Sequence, residues 1–588
     1  MAKVNFNIKQ ILFISIIFTS FSMFSSCGSD SGGVGPGPDP DPDPDPEEEV
    51  VYDYANMDQA KYDLYLKRNL DKYFGTEYSS KINNVSVSST SVTVSGVCSD
   101  NEAYSLCEIT PYDSLLMTNK FQRTTALTEA NFTESFDRFV SRDGFTYDRA
   151  LSKWVIVKIG NKIDRIVSHA RYADDIETDG TPAQATLNGR KGIGGFDINR
   201  GFLSDLDELP ATSVTVNIPI LALISTSNYG VTIPHTYGGT TYYFNQGVVN
   251  TIDQTMLAAY ERDIVVSAII LVQVNGTEAG QLLKHPEYNP SGIFTMPNMT
   301  KPESLNCYAA ALDFLASRYC RSDNQYGRIH YWIMHNEVDA GVEWTNMGNS
   351  RGMEAYVDAY EKSMRLCHNI SRQYDPNSQV LASFTHSWTE AVTPQYFASK
   401  SMIDDLLEFS KAEGDYQWGL AYHPYPENLF EPKVWEDSKA TFKMGTPFIT
   451  FKNLEVLDAW AKKPENMFQG NIKRTVFLSE NGTNSPSYSE TDLRNQAAGL
   501  AYTWKKFKVL DGIDAMQWHN WIDNRAEGGL RIGLRRFPDD NVDPGGKKPV
   551  WYVYQAADTD DEDSVFDQYK SVIGITDWSE VNFTGTIQ

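Results

Sequence analysis

The chain has 588 residues, a net charge of −26, and 41% hydrophobic and 12% aromatic residues. That length is too great for one ordinary domain, and the apolar content supplies a large core, which excludes global disorder. The acidic balance excludes a protein that grips nucleic acid by its phosphates, since that takes basic patches; it says nothing about fold.

The first element is a targeting segment. Lys3 and Lys9 accompany "ILFISIIFTSFSMF" (11–24), a run of signal-peptide length and short for a membrane span. "SSCGSD" follows and resembles a bacterial lipoprotein signal, with residues 1–27 ending at a lipidated Cys27; Phe24 and Ser26 depart from its strictest form. Residues 28–50, with "GGVGPGPDPDPDPDPEEE", lack apolar content beyond a valine or two and carry mutually repelling charges, so an extended spacer is expected.

Residues 51–185 read as a small β-sandwich-like module with a leading helix at 57–74. "VSVSSTSVTVSGV" (85–97) alternates, and "AYSLCEITPY", "NFTESFDRFV" and "SKWVIVKIG" follow with polar turns between them. Cys98 and Cys107 flank an expected hairpin, where a disulfide is one option. Cys307 and Cys367 lie in helical patterns and read as core thiols. There is no CxxC and no His at zinc spacing, so no metal and no cofactor are expected.

From 186 to 588 short apolar runs alternate with longer helical patterns, which predicts β/α units around a parallel sheet. Eight strands are expected, at 191–198, 213–220, 263–272, 329–336, 379–387, 416–425, 474–481 and 513–521. Met353, Tyr356, Val357, Tyr360 and Met364 make one helical face; Leu493, Ala497, Leu500 and Trp504 make another, behind a cap at Ser489. A last helix is expected over 548–558. Eight such rounds predict an α/β fold, a (β/α)8 TIM barrel, with functional groups at the C-terminal strand ends. There the fourth strand ends in "HNEVD" and the seventh in "SENGTNS". Two glutamates, Glu337 and Glu480, therefore meet at one barrel mouth. Glycoside cleavage needs such a pair, one carboxyl to protonate the leaving oxygen and one across the ring.

On these residues the chain resembles the clan-A glycoside hydrolases, over roughly 190–575. Asn336–Glu337 matches the clan's Asn and acid/base Glu after strand four, Glu480 matches the nucleophile after strand seven, and His423-Pro424-Tyr425 matches its His-x-Tyr at strand six. The resemblance implies a retaining glycosidase acting on a polysaccharide or oligosaccharide. It makes Glu337 the acid/base and Glu480 the nucleophile, with Asn336 at a sugar hydroxyl, Tyr425 donating to Glu480, and His423 beside them. Trp518 is expected beneath the sugar, with Trp521 as the alternative; Trp344 and Trp388 are candidates for further sugar contact or for loop packing. The second strand lacks the Arg that several clan-A families use against the nucleophile, leaving Asn217 as its polar candidate. His335 is expected to support its neighbours, and Arg525 and Arg531 to be available to hydroxyls or a uronate. The expected partners are a carbohydrate and, through the lipid anchor, a membrane, with no nucleic acid; the chain is expected to be a monomer at the envelope, on the outer-membrane surface or the periplasmic side. Two other classes stay open: a surface lipoprotein that binds glycan without cleaving it, and a structural envelope protein whose β-module docks a partner.

Overall fold

The computed structural model describes residues 50–100 and 102–588, so the signal segment, Cys27 and nearly all of the spacer lie outside the described residues. Eight parallel strands close into one barrel. They are β1 (Lys191–Ile193), β2 (Ser213–Pro219), β3 (Val265–Leu271), β4 (Tyr331–Met334), β5 (Gln379–Phe384), β6 (Gly419–Tyr422), β7 (Val476–Asn481) and β8 (Ala515–Trp518). Each falls within or overlaps the apolar run expected for it. β3, VVSAIIL, is buried at every position, as a parallel strand covered on both faces should be. Ile269, Leu271, Ile333, Leu381, Ala421, Phe477 and Ala515 form the inner cluster that fills the barrel.

The helices expected from their apolar faces are present at Met353–Ser371 and Glu490–Phe507, the latter capped by Ser489 Oγ, which accepts from Asp492 N at 3.2 Å. Tyr360 is buried, and its hydroxyl donates to Met334 O (2.6 Å) and accepts from Ser383 N (2.9 Å), stitching the ends of β4 and β5 together. The sequence reading omitted an antiparallel excursion after β2, comprising Ile224–Ser225, Thr232–Tyr237 and Thr240–Asn245. Its alternating polar pattern interrupts the β/α rhythm without changing the barrel count.

Before the barrel lie two four-stranded sheets, and the 85–97 stretch belongs to a hairpin of Lys81–Val87 with Ser91–Val97. Phe136 of one sheet stacks on Trp154 of the other at 4.7 Å. Cys98 and Cys107 do not form a disulfide: both are buried free thiols in different apolar clusters, because Cys98 follows the strand Ser91–Val97 of one sheet and Cys107 lies in the strand Ser105–Ile109 of the other. The leading helix, Gln59–Gly75, packs on the barrel, where Asp63 pairs with Arg351 at 2.7 Å.

Module and barrel are also joined by a buried ion pair. Lys153 Nζ donates to both oxygens of Glu413 (2.7 and 2.8 Å), and Tyr73 OH donates to Oε1 at 3.2 Å. Taking two charges out of water is costly, so removing one partner is worse than removing both. Glu413→Ala is therefore expected to lower unfolding stability by about 3–5 kcal/mol, and the double change Lys153→Met with Glu413→Leu to recover most of it. Urea unfolding measures this; an unchanged midpoint in Glu413→Ala would mean that the pair is hydrated in solution.

A second buried hub closes the barrel. Asp205, between β1 and β2, accepts from Arg535 Nε (2.6 Å) and Nη2 (2.7 Å), Trp521 Nε1 (2.9 Å) and Trp551 Nε1 (3.3 Å). The loop after β8 and the helix Pro549–Ala556 are thereby fixed to the first β/α turn.

Candidate active site

At the end of β4 the backbone turns sharply. His335 (φ 60°) and Glu337 (φ 40°) both take left-handed conformations, which cost non-glycine residues energy and recur at functional sites. The surroundings hold this turn. His335 is buried, with Nδ1 3.0 Å from Ile270 O and Nε2 2.9 Å from Ser363 Oγ; burial pushes its ring down to about 4, so it is a neutral peg. Glu337 N donates to Ser383 Oγ at 3.0 Å. Asp339 accepts from Thr385 N (3.0 Å) and Oγ1 (2.5 Å). The result is a Glu337 side chain aimed into the barrel mouth.

His423 and Tyr425, after β6, divide their work between the two glutamates. His423 Nδ1 lies 2.8 Å from Glu337 Oε1, and Tyr425 OH donates to Glu480 Oε1 at 3.2 Å. A carboxylate oxygen of Glu337, one of Glu480 and a ring nitrogen of His423 all lie within 4.8 Å of one another. Those donor types suit a cation, but His423 Nδ1 is already engaged by Glu337 and Glu480 by Tyr425, and we read the group as two hydrogen-bonded pairs side by side.

Its electrostatics are asymmetric. Burial pushes the Glu337 carboxyl up to about 8, with Glu343 adding to the effect and His519 opposing it. Burial also pushes His423 down to about 4, leaving it neutral. Glu343 itself is raised by burial and accepts from Tyr396 OH at 2.5 Å.

Asn336 is buried; its carbonyl accepts from Thr345 Oγ1 at 2.8 Å, and its side-chain amide makes no hydrogen bond to another described residue. Asn217 stands in register with inward-facing Ile269 and is exposed inside the mouth. Trp344 is half-buried beside Phe294, with ring centroids 6.2 Å apart.

The other aromatic expectations are corrected. Trp518 is fully buried and donates Nε1 to Ile532 O at 3.0 Å. The reason is strand parity: Ala515 faces inward, so Trp518, three residues on, faces out. Trp521 is fully buried in the Asp205 hub, and Trp388 is buried with its Nε1 on Met444 O (2.8 Å). Neither Trp518 nor Trp521 has surface to offer a sugar. Arg525 pairs with Asp539 (2.8 Å), and Arg531 Nη1 donates to Pro486 O (2.7 Å); neither bonds to the cluster.

The side chain that parity brings inward after β8 is His519, which the sequence reading passed over. Its Nε2 lies 4.0 Å from Glu480 Oε1 and 3.3 Å from Glu527 Oε2. Counting inward positions from Ala515 through Gln517 would have found it.

The fold and site define a (β/α)8 barrel with two glutamates facing each other at its mouth. The chain belongs to a family of unknown function, DUF5722, whose model matches residues 183–581. No curated protein matches the chain. Among solved structures it is similar to a family 39 glycoside hydrolase from the gut symbiont Bacteroides cellulosilyticus WH2, at 13% identity and a TM-score of 0.40 over 81% of this chain and 82% of that one. It is similar to the exo-beta-1,4-mannosidase Op5Man5 from Opitutaceae bacterium strain TAV5 (13%, 0.37, 65% of this chain and 60% of that one). A third is the family 1 β-glucosidase from Thermotoga maritima (14%, 0.37, 67% and 98%). The barrel rests on the chain's own strand pairing.

Proposed function

We propose that this protein is a retaining glycoside hydrolase of the clan-A type, with Glu337 as acid/base and Glu480 as nucleophile. The observation that carries the reading is the pairing of two glutamates, one just after β4 and one at the end of β7, with carboxylate oxygens within 4.8 Å and unlike surroundings. Retaining enzymes hold their carboxyl groups about 5–5.5 Å apart, while inverting ones leave about 6.5–9.5 Å for a water.

In the first step a Glu480 oxygen bonds to the anomeric carbon as the glycosidic C–O bond breaks, and Glu337 passes its proton to the departing oxygen. Tyr425 holds Glu480 by its hydroxyl. Glu337 begins protonated because its carboxyl is buried. Once Glu480 is esterified its charge is gone, so Glu337 deprotonates more readily; it then takes a proton from the water that displaces Glu480. Asn336 offers its free amide to a sugar hydroxyl, and Trp344 an apolar ring face at the mouth. The test is incubation with a panel of glycans and aryl glycosides, with products followed by proton NMR from the first minutes. A first-formed product of the substrate's own anomeric configuration is expected; an inverted one would overturn the mechanism.

Cys27, followed by an acidic Pro-rich spacer, supports a lipid-anchored protein of the cell envelope that works on glycans at the outer-membrane surface. Among the described residues no helix is long and apolar enough to cross a membrane. Cys27→Ala is expected to move the protein from the membrane pellet to the soluble fraction, and unchanged fractionation would remove the anchor.

A further inference from the structure

The nucleophile must be ionised while its neighbour, within 4.8 Å, keeps a proton. Tyr425 alone is a modest means to that end, since one neutral hydroxyl stabilises a carboxylate less than a positive charge does. Among the described residues, the one basic side chain within 4.0 Å of the Glu480 carboxylate is His519.

The ring is held in place. Glu527 Oε2 lies 3.3 Å from His519 Nε2, while Glu527 Oε1 accepts from Asn520 Nδ2 (2.8 Å) and Asn524 Nδ2 (2.9 Å). Arg200 Nη1 donates to Asn520 Oδ1 at 2.8 Å, tying this clamp to the turn after β1. On the other side the ring lies against Gly194–Gly195. A Cβ on Gly194 would come within 3.0 Å of His519 Cβ, and Gly195, at φ +67°, has a conformation that a side chain would strain.

We infer that His519, clamped by Glu527, is a positioning residue that biases which of the two glutamates is ionised: its ring lies 4.0 Å from the Glu480 carboxylate and farther than that from Glu337, so it favours charge on Glu480 and leaves the proton to Glu337. The same ring also draws on Glu337, but from the greater distance, and the burial of that carboxyl outweighs it. This rests on the glycosidase reading above. The charged and titratable groups facing the ring are Glu480 from β7, Glu527 from the loop after β8, Arg200 from the turn after β1, and His423 and Glu337 from the β6 and β4 ends. Burial works against a charged ring here and Arg200 adds to that, but Glu480 and Glu527 outweigh both and push His519 up to about 9. Glu527 in return is held down at about 2: burial opposes its charge, but His519 and the amide of Asn524 prevail. An imidazolium therefore faces the nucleophile at neutral pH.

Two measurements test this. The first needs no substrate: proton–nitrogen NMR of the intact chain carrying 15N-histidine, with the His519 signals identified by their absence in His519→Gln. The ring is expected to stay protonated past pH 8, and Glu527→Gln to lower its midpoint by about one pH unit or more. A parent ring that titrates below pH 7 would overturn the inference whatever the enzyme's activity. The second follows kcat/KM against pH for a 2,4-dinitrophenyl glycoside, whose departure needs little acid help. His519→Gln is expected to move the acid limb to higher pH by about one unit, with Glu527→Gln leaving that limb in place because an ordinary histidine is still charged there. A plateau that drops with both limbs unmoved would make His519 a packing residue only. If the parent cleaves no glycoside, the glycosidase reading fails, while the NMR result still decides the charge of His519.

Discussion

Glu480→Gln is expected to remove turnover by roughly 10⁴-fold or more on every substrate, good leaving groups included. The amide is isosteric and keeps a hydrogen bond with Tyr425, whose hydroxyl is 3.2 Å from Oε1, so the site should stay assembled. It cannot form the ester on which double displacement depends. Sugar binding, followed by calorimetry with a product of the parent enzyme, should persist within a few-fold. Retained turnover would place the nucleophile elsewhere. Retained binding without turnover separates a lost reaction from a collapsed site, and a parent that only binds would restore the non-catalytic glycan-binding reading.

Glu337→Gln should behave differently, because an acid matters in proportion to the leaving group's need of a proton. For unactivated glycosides the loss is expected to be about 10²–10⁴-fold. For a dinitrophenyl glycoside the first step should be nearly spared, while attack of water slows and the glycosyl-enzyme accumulates on Glu480. Mass spectrometry with an activated fluorosugar should find the label on the peptide containing "FLSENGTNS". Equal losses for good and poor leaving groups would show that the pair is wrongly assigned. The pH dependence carries the same signature. Glu337 acts in the first step as an acid, in its protonated form, so kcat/KM should fall as pH rises through about 8, where its burial places the carboxyl. In Glu337→Gln that alkaline limb should disappear, leaving the acid limb.

The barrel was legible because its strands are apolar runs separated by amphipathic helices, and such runs admit few other packings. Glu337, Glu480, His423 and Tyr425 were legible because each lies at or within three residues of a strand's C-terminal end, where chemistry-bearing side chains reach the mouth. The structure brings these four together, as hydrogen bonds of 2.8 and 3.2 Å attest. The tryptophans misled because side-chain type was read without facing: Trp518 and Trp521 have the right chemistry for a sugar but point away from it. His519 was missed for the converse reason, its facing being right and its type unremarked. Its partner Glu527 lies in a loop, and nothing in a loop's residue pattern says which way it folds back. The disulfide option failed similarly, since strand neighbours in sequence were assigned to different sheets by long-range pairing.

The Asp205 hub sets the order in which this molecule is completed. The carboxylate is synthesised early, and its partners Trp521, Arg535 and Trp551 lie 316, 330 and 346 residues further along the chain. Until they emerge from the ribosome, Asp205 has no cation to justify its burial, and the first β/α turn has no reason to settle. The wall that carries His519 and Glu527 is also the last of the barrel to be translated. Closure of the cylinder around Asp205 therefore requires Trp521, Arg535 and the helix Pro549–Ala556, and the wall that carries His519 and Glu527 belongs to that same late-made stretch.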